Sequence, residues 1–103
     1  MLSFQSQSFT FTPADGATPK KTQTFSFDNT IRNYGAALQG FEFKFGADED
    51  DNNIETMTAD ITNISLNNNK TEVTVEVEFT FKDHRDHIGE GQVDVVVFAD
   101  LET

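Results

Sequence analysis

The chain has 103 residues and a mass of 11.5 kDa, the size of one compact domain, so a second hydrophobic core is not expected. Its 36% hydrophobic and 24% charged residues, with 2 prolines and 6 glycines, set it apart from disordered and collagen-like chains. Seven basic against 18 acidic side chains leave a net charge of −11, which excludes ordinary nucleic-acid binding and opposes docking on anionic membranes; no apolar stretch approaches the roughly 20 residues needed for membrane insertion.

In chain order, Phe4, Phe9 and Phe11 predict a first strand that ends at Pro13. Phe9 and Phe11 have two roles open to them: core residues, or an arm that adds a strand to a neighbouring subunit across the polar stretch 12–21. Residues 1–21 are accordingly read as an N-terminal strand or arm with a polar linker, and 22–103 as the main domain. The N-terminal segment has no basic n-region and no continuous apolar h-region. No secretory signal peptide is therefore expected, and cytoplasmic synthesis is, with later release or incorporation into a particle left open.

Phe25 and Phe27 alternate with Thr24, Ser26 and Asp28, which predicts a half-buried strand. Residues 29–37, NTIRNYGAA, read as a turn. Phe41, Phe43 and Phe45 then alternate with Glu42 and Lys44, and residues 54–66 carry Ala59, Ile61 and either Ile64 or Leu66 inward. The clearest strand is 72–82, where Val73, Val75, Val77, Phe79 and Phe81 share one face and Thr74, Glu76, Glu78 and Thr80 the other. Val93, Val95 and Val97, followed by Phe98 and Leu101, predict a central strand buried on both faces near its end. No segment shows a sustained helical period. The expected fold is all-β, a six-stranded antiparallel β-sandwich with Phe43, Ile61, Val75, Val77, Phe79 and Val95 in its core.

Cysteine is absent, which removes disulfides, thiolate zinc sites and cysteine nucleophiles. The loop 46–53 offers Asp48, Asp50 and Asp51 as oxygen ligands for calcium. An EF-hand does not fit, because its sixth and twelfth positions hold Asn53 and Ala59 when counted from Asp48. A solvated acidic turn that blocks edge-to-edge aggregation is the alternative, and no other cofactor is expected. Residues 83–87, Asp-His-Arg-Asp-His, hold both histidines. Two histidines and a carboxylate make at most three zinc ligands. A polar hairpin and a polar-ligand site remain, the latter with Asp86 accepting hydrogen bonds while His84 and Arg85 donate them. No serine sits at a nucleophile turn and no triad is recognisable, so the chain is not read as an enzyme.

The succession TFSFDNTI, GFEFKFGADEDDNNIETMTADITNIS, TEVTVEVEFTFKDHRDH and VDVVVFADLE resembles the H-type lectin domain over roughly 25–101. The resemblance centres on Asn53-Ile54 after an acidic loop and on the polar loop 83–87 before a final apolar strand. It implies a six-stranded sandwich, a homotrimer, and galactose-type sugars held between subunits by polar loop residues, with His84, Arg85 and Asp86 as the transferable positions. The chain departs from the family pattern at Glu55, where an arginine is usual, and at Asp83, where an aromatic is usual. Fold and ligand class together point to a non-enzymatic carbohydrate-binding module that forms a homo-oligomer. A phage or virus particle component (fibre, tail or decoration subunit) built on the same sandwich is the alternative. A third reading, an acidic mimic of DNA, rests on net charge alone.

Overall fold

Alternating apolar and polar side chains let an extended chain bury one face while wetting the other, and this chain does so in six strands. The computed structural model describes residues 1–45, 54–83, 85 and 87–102, with the backbone alone at 54. The strands are β1 (Leu2–Phe11), β2 (Lys20–Ser26), β3 (Ile31–Lys44), β4 (Ile54–Leu66), β5 (Glu72–Asp83) and β6 (Glu90–Leu101). A single 3-10 turn at Pro13–Asp15 joins β1 to β2, and among the described residues there is no α-helix. Among the described residues no helix is long and apolar enough to cross a membrane.

The strands form two three-stranded antiparallel sheets, ordered β1-β6-β3 and β2-β5-β4. The most apolar strands, β5 and β6, take the two central places, and their inward residues (Val73, Val75, Val77, Phe79, Phe81 against Val93, Val95, Val97, Ala99, Leu101) are buried throughout. Phe9 and Phe11 of β1 and Phe25 of β2 complete this core. At one end the core is aromatic. Phe11 stacks on Phe79 at 4.8 Å, Phe79 on Phe43 at 5.0 Å, Phe43 meets Phe81 at 5.0 Å, and Phe81 stacks on Phe45 at 4.3 Å. Each such pair contributes about 0.5–1.5 kcal/mol beyond area burial.

Three expectations are corrected. Residues 29–37 are not a turn, because β3 begins at Ile31 and pairs with β6 from Leu101 onward. A twelve-residue central strand needs hydrogen-bonded neighbours along its length, and that demand overrides the turn preference of Asn33 and Gly35. The end of β6 is not buried on both faces: Leu101 is buried, but Phe98 points outward and stays 38% exposed. Phe43 and Ile61 only flank the core, since they lie on β3 and β4, whose facing edges are not bonded to one another among the described residues, whereas Val75, Val77, Phe79 and Val95 are buried within it.

The two lateral sides of the sandwich differ. Where β1 faces β2, polar side chains at inward positions reach across to backbone carbonyls: the Gln7 amide donates to Thr24 O at 3.0 Å, Gln23 to Ser8 O at 2.9 Å, and Lys21 Nζ to Thr10 O at 2.7 Å. Gln5 donates to Ser26 O in the same series. These bonds occupy edge carbonyls that would otherwise be open to another strand. Where β3 faces β4, no backbone hydrogen bond joins them among the described residues.

Candidate functional site

The connection from β5 to β6 sits on the aromatic end of the core. Gly89 donates its backbone N–H to Phe81 O at 2.6 Å, and a Cβ at Gly89 would come within 2.2 Å of the Phe81 ring, so only glycine allows the chain to pass here. Lys82 and Ile88 form an isolated antiparallel bridge just above it.

Asp83 organises the turn that follows. Its side chain is 1% exposed, and its Oδ1 accepts the backbone N–H of Arg85 and of His87, each at 2.9 Å. Its Oδ2 lies 2.8 Å from Nδ1 of the His87 ring, and its own backbone N–H donates to His87 O at 3.1 Å. A buried carboxylate is tolerable only with such satisfaction, and here it holds the backbone at Arg85 and His87, with Arg85 exposed. The position at which the lectin resemblance leads one to expect an aromatic ring is thus occupied by the group that shapes the loop.

Among the anticipated ligand-binding residues, Arg85 lies on this turn, while His84 and Asp86 lie outside the described residues. Asp48, Asp50 and Asp51, the anticipated calcium ligands, also lie outside them. Among the described residues no three His, Asp or Glu side chains gather as a metal site.

A second polar feature lies on the outer face of the β1-β6-β3 sheet, where Leu2, Asn33, Tyr34, Phe98 and Asp100 line a shallow depression of about 160 Å³. Asp100 receives the N-terminal ammonium and Arg32, each at 3.2 Å, and these two cations hold its carboxyl below the usual range. Sequence reading misses this grouping, since its members come from three strands. The glutamines of β1 are likewise silent in composition. Their signal is positional: Gln5 and Gln7 continue the inward parity of Phe9 and Phe11.

Comparison with protein-family models, with curated proteins and with solved structures finds no match to the chain.

Proposed function

We propose that the chain is a non-enzymatic, lectin-type binding module that works as a homo-oligomer, a trimer by its resemblance to H-type lectins, and recognises neutral glycans through the loop 83–87. The observation that supports this reading is the buried Asp83, which holds the backbone N–H groups of Arg85 and His87 and the His87 ring. Backbone positions held before a ligand arrives lose less entropy on binding. In this reading Arg85 and His84 donate to sugar hydroxyls and Asp86 accepts from them, the division of roles that an array of hydroxyl groups requires.

Exposed apolar residues on the outer face of the β1-β6-β3 sheet, Leu2, Phe4 and Phe98, favour assembly of several copies. The same feature supports the second reading, a structural subunit of a virus or phage particle.

A glycan array with the intact protein, paired with light scattering for its mass, tests both. Glycan hits that Arg85→Ala and Asp86→Ala abolish, with the melting temperature unchanged within a few degrees, are the expected result. An array without hits from the assembled protein would remove the lectin reading and leave the structural one.

A further inference from the structure

The open side between β3 and β4 carries an inference independent of the glycan reading. Leu38, Phe41 and Met57 stand in register with Val95, Val93 and Phe81, all buried, and so face inward. Yet they are 40%, 61% and 53% exposed. Phe43, Ala59 and Ile61 beside them are only partly buried. The result is an apolar seam between two sheet edges, where among the described residues no side-chain bond like those linking β1 and β2 is made. On β4 the pairing with β5 runs without a shift through 56–61, between irregularities at Ile54/Thr56 and Ile61/Asn63, so this stretch presents one unbroken backbone edge.

We propose that this seam binds an extended peptide of alternating apolar and basic residues, which adds to β4 at 56–61 as a further strand. Side chains of an added strand alternate between the two faces of the sheet, so every second one enters the seam over Met57, Ala59 and Ile61 and opposite Phe41. Ala59 is small and leaves room for a larger incoming side chain. The remaining side chains lie on the outer face, beside Asp60 on β4. The charge of the rim sets their sign. Lys44 and Lys82 are already matched with Glu90 at 3.9 Å and Glu55 at 4.0 Å. Asp60, exposed on that outer face, has no ion pair among the described residues. Basic side chains complement this rim.

The test uses the full chain and two labelled peptides of about eight residues, the length of an ordinary strand. One alternates valine with lysine; the other has the same composition in two blocks. Fluorescence anisotropy is expected to show the alternating peptide binding about ten-fold more tightly than the block peptide. Met57→Lys and Asp60→Lys, both at exposed positions that leave the core intact, should each weaken it by about ten-fold, and Phe4→Lys on the other sheet should not. Equal binding of the two peptides would reduce the effect to net charge and overturn the proposal, as would no binding at all. Light scattering that finds a peptide-free dimer dissociated by Met57→Lys would assign the seam to a second copy and overturn it too.

Discussion

The ring of Phe98 lies directly on the backbone of Gly35: a Cβ at that glycine would come within 2.6 Å of two of the ring carbons. The two residues face each other across β6 and β3, on the outside of the sandwich. The aromatic ring covers a place in an edge strand that has no side chain of its own, a pairing that protects backbone hydrogen bonds from water.

A double-mutant cycle checks the dependence. Gly35→Ala alone should destabilise by about 1 kcal/mol, because the added methyl displaces the ring into solvent. In a Phe98→Ala background the same change should be neutral or stabilising, since alanine costs less strand entropy than glycine. Urea denaturation of the four proteins reads the difference, and additive effects would refute the contact.

Asp83, the last residue of β5, should be a sensitive polar position. Asp83→Ala leaves two backbone N–H groups and the His87 ring without their acceptor and should cost about 2 kcal/mol. Thermal melts measure this. Arg85→Ala, at an exposed position on the same turn, should change stability by less than about 0.5 kcal/mol.

Val77 and Phe41 separate core from seam. Val77 is fully buried at the centre of β5, so Val77→Asp should unfold the domain, an unpaired core charge costing several kcal/mol against a total of about 5–15. Phe41→Ser should leave a folded protein by circular dichroism, because most of that ring already faces solvent.

Acid should loosen the β1–β2 connection. The Thr12 backbone N–H, at 2.8 Å, and then the Lys21 ammonium hold the Asp15 carboxyl below its ordinary value of 3.8. A lowered folded-state pKa means that the carboxylate favours the fold above 3.8, and that this contribution is lost as pH falls from there through the lowered value. Asp100 behaves in the same sense through the N-terminal ammonium and Arg32. Carbon-detected titration of the two carboxyls should give midpoints below 3.8, and Asp15→Asn and Asp100→Asn should each flatten the acid limb of the stability curve.

Period-two alternation by itself determined the all-β class and the long strand β5, because a run such as Val73, Val75, Val77, Phe79, Phe81 can hide its apolar side in no other regular conformation. It also set apart the loop 83–87, whose Asp, His and Arg have no place in a core. What only the tertiary structure decided is which strands became edges. Ile61 on β4 and Val77 on β5 look alike in sequence and are cross-strand partners, yet one is half-buried and the other fully buried. Ile61 lies on β4, which borders the open side facing β3, whereas Val77 lies on a central strand, and that is a property of sheet order. Strand order likewise made 31–37 part of β3, since β6 needs a second hydrogen-bonded partner and Gly35 could take a strand conformation with Phe98 above it. The role of Asp83 is of the same kind: a carboxylate in a polar stretch reads as solvated, yet it is buried, with the N–H groups of Arg85 and His87 and the His87 ring bonded to it.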